Sequence, residues 1–288
     1  YNVGVGQTYA SLTAAITAYN SSCLTGPVTF LLTDAAYAAN ETFPITINAN
    51  AFASATNTLT IKPTIAATTI SGTVATALIV LNGADWVTIN GSISAVNNTV
   101  CPVVTATRDL TLINTNISTN TADIWLQSVF PSDGATNNRI MNLNLVGSGN
   151  TQTFAGVGSG STFIGNGSLG AGNHNNSYIN NNIRNTQYGI YSQGNSLAFK
   201  NQGTVINQNQ INTVPPNNTA RGGIITGFEN NISIAGNNIS EIALAGSPDV
   251  FGIALGGTNI SATSFAGNEV TNANVNKNTI GSVRNTGN

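Results

Sequence analysis

The feature of this sequence that most restricts its fold is a repeat. A large aliphatic residue returns along the chain at spacings of 28, 24, 28, 38, 28, 28 and 41 residues, mostly within the range of roughly 20 to 50 that is typical of stacked structural units. These anchor residues are Ile65, Ile93, Ile117, Leu145, Ile183, Ile211, Ile239 and Ile280. Eight residues before each anchor stands a turn-forming residue type, in order Asn57, Asp85, Asp109, Asn137, Asn175, Gly203, Asn231 and Asn272. Because both positions keep one register, the repeat predicts a solenoid whose coils contain short strands, a sharp turn and a loop of variable length.

A third repeated position supports the same register. Asparagine stands two residues before each of the last four anchors, at Asn181, Asn209, Asn237 and Asn278. When coils stack at the spacing of paired strands, roughly 4.8 Å, equivalent amide side chains lie above one another and hydrogen-bond along the stack. Asn and Asp also tolerate left-handed backbone, which suits sharp corners. We therefore predict that the Asn and Asp residues of both columns form a structural ladder at the corners.

Composition limits the partners of such a solenoid. Asparagine occurs 45 times, whereas charged residues make up only 6% of the chain and the net charge is −2. The charges form no run, so neither a nucleic-acid partner nor a membrane-surface helix is expected. No stretch approaches the roughly 18 consecutive apolar residues of a spanning helix, so no membrane insertion is expected.

The start of the chain differs from the rest. In the segment after Ser11, Leu12, Ala15, Ile16 and Tyr19 recur at helical spacing, which predicts a short amphipathic helix. Such a helix can cover the first coil, whose unpaired strand edges would otherwise recruit other chains. We expect an N-terminal strand and capping helix in residues 1–27 and one continuous domain of coils in residues 28–288, which leaves open whether both belong to a longer chain.

Several segments carry a resemblance to a known family. YNVGVGQTYASLTAAITAYNSS, GPVTFLLTDAAY, ETFPITIN, NTLTIKP and GADWVTINGS resemble the N-terminal portion of large secreted surface proteins of Bacteroidetes bacteria, and YINNNIRNT, VINQNQI and ISIAGNNISEI resemble generic coils of the same fold. The resemblance implies an all-β fold, a right-handed parallel β-helix of the pectate-lyase type, with the short N-terminal α-helix as its cap. It also implies export to the extracellular space or the cell surface.

The best candidates for chemistry are few. Asp85 and Asp109 share a register position one coil apart, so their carboxylates are expected about 5 Å from each other, a separation that suits a retaining glycosidase pair or a calcium site. The other members of that column are Asn or Gly, so a turn role is the stronger interpretation; no catalytic residue, no metal and no cofactor is predicted, with calcium kept as the alternative. His174, the single histidine, stands in a Gly/Asn loop without a nucleophile motif.

Two aromatic residues are candidates for contact with a sugar. Tyr188 and Tyr191 flank a Gly-Ile pair, and alternation along a strand predicts that one of them faces outward. An exposed aromatic ring among amides suits stacking on a sugar ring, while a packed core position is the alternative. Two cysteines, Cys23 and Cys101, permit one disulfide at most, and the sequence does not decide whether they pair or whether the Asn-X-Ser/Thr sites carry glycans.

These observations favour a non-enzymatic extracellular protein that forms a rigid cell-surface stalk, fibre or adhesin segment. The expected partners are glycans or other cell surfaces. One alternative is a carbohydrate-active enzyme, a polysaccharide lyase or glycoside hydrolase, on the same β-helix. A further alternative is a subunit of an extracellular filament that self-associates end to end through the ends of the solenoid.

Overall fold

The computed structural model describes residues 1–94, 106–129, 133–246, 249–257 and 269–287 of the chain. Every strand pairing in this part is parallel, and the strands form three long sheets and one short sheet. Consecutive strands of the chain belong to different sheets, whereas neighbours within a sheet lie one coil apart. The chain therefore winds as a parallel β-helix, which confirms the predicted solenoid.

Strand bounds follow from the sheet order. Sheet 1 has nine strands, Asn2–Val3, Val28–Leu32, Leu59–Pro63, Val87–Asn90, Arg139–Met141, Ser177–Ile179, Val205–Asn207, Ser233–Ala235 and Asn274–Asn276. Sheet 2 has eight, Ala36–Tyr37, Thr68–Gly72, Leu110–Asn114, Leu143–Val146, Asn182–Arg184, Gln210–Ile211, Asn238–Leu244 and Thr279–Asn285. Sheet 3 has seven, Ile45–Asn48, Ala77–Asn82, Ala122–Gln127, Ala155–Gly160, Thr186–Gln193, Thr219–Gly227 and Phe251–Leu255. Sheet 4 has three, Asn201–Gln202, Glu229–Asn230 and Val270–Thr271.

The interior consists of three columns of apolar side chains, one from each long sheet. Alternation of side chains along each short strand sends every second residue inward. The sheet 1 column contains Phe30, Ile61, Ile89, Ile140, Tyr178, Ile206, Ile234 and Val275. The sheet 2 column contains Tyr37, Ile70, Leu112, Leu145, Ile183, Ile211, Ile239 and Ile280. The sheet 3 column contains Ile45, Ile79, Ile124, Val157, Ile190, Ile224 and Ile253. Burial of like residues on like residues makes one continuous core along the stack.

The sheet 2 column corrects the predicted repeat in the first half of the chain. The last five anchors, from Leu145 onward, do lie in this column. The first three do not, because Ile65, Ile93 and Ile117 are exposed by 40%, 40% and 79%. Their places in the column are taken by residues of the strands Ala36–Tyr37, Thr68–Gly72 and Leu110–Asn114.

Left-handed backbone makes two of the corners between sheets. The corner before sheet 1 contains Asn137, Asn175, Gly203, Asn231 and Asn272, and the corner between sheets 1 and 2 contains Asn142, Asn180, Gln208, Gly236 and Lys277. All ten residues have φ between 52° and 68°, a region that Asn and Gly reach at low cost. Backbone N–H groups there donate to the next coil, as from Asn137 to His174 O at 2.9 Å, so the corners continue the hydrogen bonding of the sheets.

Helix α1, Leu12–Asn20, closes the first coil as predicted. Ser11 is its N-cap, and the Glu41 carboxylate accepts from the first helical N–H groups at 2.8 and 2.7 Å, where it also meets the positive end of the helix dipole. At the other end, the Asn20 side chain donates to Thr46 O at 2.8 Å and accepts from Asn48 N at 3.0 Å. The amide of Asn20 thereby satisfies the outer edge of sheet 3 as a further strand would.

Candidate functional site

A buried asparagine ladder runs through the last coils. The Oδ1 atom of Asn209 accepts from Asn181 N at 2.9 Å and from Asn181 Nδ2 at 3.1 Å, and its own Nδ2 donates to Tyr178 O at 2.9 Å. Asn237 and Asn278 repeat these bonds one and two coils further on. Each side chain thus satisfies buried backbone groups of the preceding coil, a structural role.

A second buried ladder was missed from the sequence. Asn138 Oδ1 accepts from Val87 N at 2.8 Å, and Asn176 Oδ1 accepts from Asn138 N at 3.0 Å. The signal was present, because each of these residues directly follows a corner asparagine, Asn137 or Asn175, in an Asn-Asn pair.

The early members of the predicted corner column lie elsewhere, and the predicted alignment of Asp85 with Asp109 is wrong. Asn57 and Asp85 are aligned with each other but stand one residue before the left-handed corner, which Trp86 occupies at φ 58°. Asp85 accepts from the Thr136 N–H and hydroxyl at 2.7 and 2.6 Å. Asp109 lies at the other corner, immediately before the sheet 2 strand Leu110–Asn114.

The two aspartates therefore form no carboxylate pair. Asp109 Oδ2 accepts from Ile93 N at 2.9 Å and from the Thr107 hydroxyl, so both carboxylates fix local turns. Among the described residues no three His, Cys, Asp or Glu side chains are grouped closely enough to hold a metal ion. The misalignment arose because the corner signal of the later coils was extended into coils that lack it.

Tyr188 and Tyr191 are both fully buried, which contradicts their assignment as glycan contacts. They lie on the outer face of sheet 3, where Trp125 stacks on Tyr191 with ring centroids 5.8 Å apart and Phe154 meets both tyrosines at 5.1 and 5.0 Å. Phe154 and Ile164, from the long segment between sheets, pack into the same cluster. That segment covers the face, so the alternative of a packed position applies.

Two acidic side chains lie inside the solenoid. Glu229 is fully buried and accepts from the Ser192 and Thr204 hydroxyls at 2.6 and 2.8 Å. Burial raises the pKa of Glu229 to about 7, and the hydroxyl hydrogen bonds oppose that rise. Asp123 is also fully buried; its Oδ1 accepts from Asn114 N at 3.1 Å, and burial raises its pKa well above the ordinary value. Neither carboxyl is placed to meet a polymeric substrate.

An open groove crosses the loops that follow sheet 3. It consists of two cavities of about 230 Å³ each that meet at Ala171, and we call it the loop groove. The first cavity is lined by Ala171, Gly172, His174, Ala198, Phe199, Lys200 and Gln202. The second is lined by Ser128, Val129, Ser161, Thr162, Leu169, Gly170, Ala171 and Asn195. Sequence reasoning missed this site because its residues come from three loops of different length.

A regular polar column covers the outer face of sheet 2. The residues alternate with the interior column and are half-exposed up to the last coil, where Thr279 is exposed; in stacking order they are Thr69, Thr111, Asn144, Asn182, Gln210, Asn238 and Thr279. Side-chain amides bridge some of the coils, as from Asn182 Nδ2 to Asn144 Oδ1 at 3.2 Å and from Asn238 Nδ2 to Gln210 Oε1 at 3.3 Å. We call this set the outer polar column.

Comparison with known proteins adds little to these observations. No family profile and no curated protein matches the sequence. The crystal structure of the Dettilon tailspike protein matches at 11% identity with a TM-score of 0.31, over 88% of this chain and 56% of that chain. This chain thus spans a little over half of the length of that structure, and a likeness at this level carries no argument about function. The fold rests on the strand pairing described above.

Two further findings concern the surroundings of the chain. The helical structure in the described part of the chain falls short of the length and apolar character that crossing a lipid bilayer requires. Cys23 is an exposed free thiol beside a cavity of about 260 Å³ near Tyr1, Tyr9 and Tyr19. Cys101 lies outside the described residues, so the pairing of the two cysteines stays a prediction.

Proposed function

We propose that this chain is a rigid, non-enzymatic segment of a secreted or cell-surface stalk, fibre or adhesin. The observation that carries the proposal is the continuity of amide side chains from coil to coil, both inside, as between Asn181 and Asn209, and outside, as between Asn144 and Asn182. Each coil is joined to the next by three sheets and by these side chains, which opposes bending. Nine stacked strands in sheet 1 give a rod roughly 40 Å long at the strand spacing.

The outer polar column supports a role in weak, repeated contact. Its amides and hydroxyls offer hydrogen-bond donors and acceptors at intervals of roughly 4.8 Å. Glycans and similar polar surfaces present complementary hydroxyl groups, and many weak contacts along one rigid support add to a high avidity. The low density of charge in the chain fits partners that are recognised by hydrogen bonds.

A glycan array tests this proposal. We expect the purified chain to bind a subset of glycans and the double variant Asn144→Ala/Asn182→Ala to lose most of that signal. The matched control is Ser177→Ala/Ser233→Ala, which removes half-exposed polar groups from the outer face of sheet 1. Equal binding by both double variants and the unchanged chain would show that the outer polar column is not the contact surface.

The competing proposal of a carbohydrate-active enzyme is tested separately. Asp85 and Asp109 stand at different corners, while Asp123 and Glu229 are buried inside the solenoid, and this arrangement supports a non-enzymatic role. Incubation with acidic and neutral polysaccharides, followed by measurement of new reducing ends and unsaturated products, is expected to show no cleavage. Cleavage that disappears in Asp85→Asn/Asp109→Asn would replace our proposal with the enzymatic one.

End-to-end assembly is a further competing proposal, since unpaired strand edges recruit other strands. Electron microscopy of the purified chain, with its intact mass measured on the same sample, separates the possibilities. Filaments with an axial repeat near 40 Å would support assembly of the solenoids. Discrete particles would support a stalk or adhesin segment.

A further inference from the structure

We propose that the loop groove binds one or two sugar units of a glycan and that the unit beside Phe199 carries a carboxylate. This inference rests on the proposed function for the premise that the chain contacts glycans. It replaces the buried tyrosines of sheet 3 with a different aromatic residue, on the loop between residues 194 and 200.

Phe199 supplies an apolar surface at the mouth of the groove. It is 57% exposed, and a tight turn presents it, in which Asn195 N donates to Phe199 O at 3.0 Å and Phe199 N donates to Ser196 O at 3.1 Å. A large exposed aromatic side chain held by backbone bonds loses little freedom when a ligand packs on it. The C–H face of a pyranose ring is a flat partner of suitable size for such a ring.

His174 supplies a directed hydrogen-bond donor in the same cavity. Its Nδ1 accepts from Gln202 N at 3.1 Å, and partial burial lowers the pKa of the imidazole. A neutral imidazole whose Nδ1 accepts carries its hydrogen on Nε2, the opposite corner of the ring. That N–H can donate to a sugar hydroxyl or carboxylate.

Charge selects the type of sugar. Lys200 is the one ionised side chain among the described residues that line the two cavities. Its Nζ donates to Thr271 Oγ1 at 3.2 Å, and an ammonium group has three hydrogens to share. Asp133 lies on the far side, where its carbonyl accepts from Val129 N, so a carboxylate is expected at the Lys200 end.

Cavity size sets the length of the bound segment. Pockets for drug-sized ligands usually enclose roughly 300 to 1,000 Å³. Each cavity of the loop groove is smaller, about 230 Å³, and the two share Ala171. This size suits one sugar ring in each cavity, that is, a disaccharide segment of a longer chain.

Isothermal titration with two matched probes tests the assignment. The probes are a disaccharide that contains glucuronic acid and the disaccharide in which glucose replaces it. We expect the acidic probe to bind at least tenfold more tightly than the neutral one, because only the former pairs with Lys200. Phe199→Ala and Lys200→Met should each weaken binding of the acidic probe by about tenfold or more.

Matched controls keep these variants interpretable. Phe163→Ala removes a ring that is 52% exposed and does not line the groove, and Lys62→Met removes a lysine from the outer face of sheet 1. Both should bind like the unchanged chain. Circular dichroism and the unfolding midpoint of every variant establish that it folds, which is expected because Phe199 is exposed.

Each outcome decides a different statement. Acidic and neutral probes bound equally would overturn the carboxylate, and binding unaffected by Phe199→Ala and Lys200→Met would overturn the groove. If glycans bind but only Asn144→Ala/Asn182→Ala abolishes binding, the outer polar column stands and the groove does not. If neither probe binds and the glycan array is also empty, the groove and the adhesive role fail together.

Discussion

Asn209 and Asn181, one coil apart, share three atoms in one contact: the Asn209 Oδ1 atom accepts both the backbone N–H and the side-chain N–H of Asn181, at 2.9 and 3.1 Å. Asn209 Nδ2 also satisfies the carbonyl of Tyr178. All of these groups are buried, where no water replaces a lost partner. The ladder therefore fixes the backbone of two coils through a single side chain.

Removing this amide should destabilise the solenoid. Asn209→Ala leaves the buried N–H of Asn181 and the carbonyl of Tyr178 unpaired, at a cost of roughly 1 to 3 kcal/mol for each group. We expect the free energy of unfolding, measured by urea denaturation, to fall by about 2 to 4 kcal/mol. Asn217→Ala, which removes an exposed amide, is the control and should change it by less than about 0.5 kcal/mol. An equal, small effect of both substitutions would remove the ladder as a source of stability.

The corrected register predicts opposite effects for two isoleucines of the same repeat. Ile183 is fully buried in the sheet 2 column, whereas Ile117 is 79% exposed. Ile183→Ala should therefore cost roughly 2 to 5 kcal/mol through lost burial and the remaining cavity, and Ile117→Ala less than about 0.5 kcal/mol. Comparison of urea midpoints measures the difference. Similar losses from both would restore the register first predicted from spacing.

Stability should fall as the pH rises through neutrality. The pKa of Glu229 is about 7 in the folded chain against an ordinary value of 4.5, so the folded state binds this proton more tightly than the unfolded state. The contribution is complete below about pH 4.5 and is lost as the pH rises through about 7, with a limit of about 3 kcal/mol. Urea unfolding at pH values from 4 to 9 measures it.

Glu229→Gln is the matched variant for that pH dependence. Glutamine keeps the shape of the side chain without a titrating proton, so its unfolding free energy should change less over this range. Part of the slope should remain, because burial also raises the pKa of Asp123. Glu241→Gln, at an exposed site beside Arg284, is expected to leave the neutral-pH slope in place. A slope unchanged in Glu229→Gln would show that another group causes it.

The left-handed corners predict a difference between alanine and glycine. Asn175 has φ 56°, which costs an ordinary L-residue roughly 1 to 2 kcal/mol and glycine little. Asn175→Ala should therefore destabilise by about 1 to 2 kcal/mol relative to Asn175→Gly in thermal or urea unfolding. Since both substitutions remove the same side-chain amide, equal stability of the two would contradict a backbone cause.

The sequence predicted the later coils better than the early ones for a physical reason. From Leu145 onward, hydrophobic anchors are accompanied by left-handed asparagines, and from Ile183 also by the ladder, and these independent constraints determine one register. In the early coils Trp86 takes the left-handed place and short alternating strands admit several registers. An exposed isoleucine such as Ile117 then resembles an interior one.

The sites were harder to predict because they depend on loops. Tyr188 alternates correctly outward from its strand, yet Phe154 and the long segment after it cover that face. Strand periodicity contains no information about such a cover. In the same way, Phe199 and His174 come together only because loops of successive coils lie side by side.

The contact between Asn181 and Asn209 recurs between Asn209 and Asn237, after the same interval of 28 residues. Loss of one such interval would bring Asn181 against Asn237, and duplication would insert another identical pair. A gene that gains or loses whole intervals would therefore lengthen or shorten the protein in increments of roughly 4.8 Å, like the divisions of a ruler, without the need to invent a new interface.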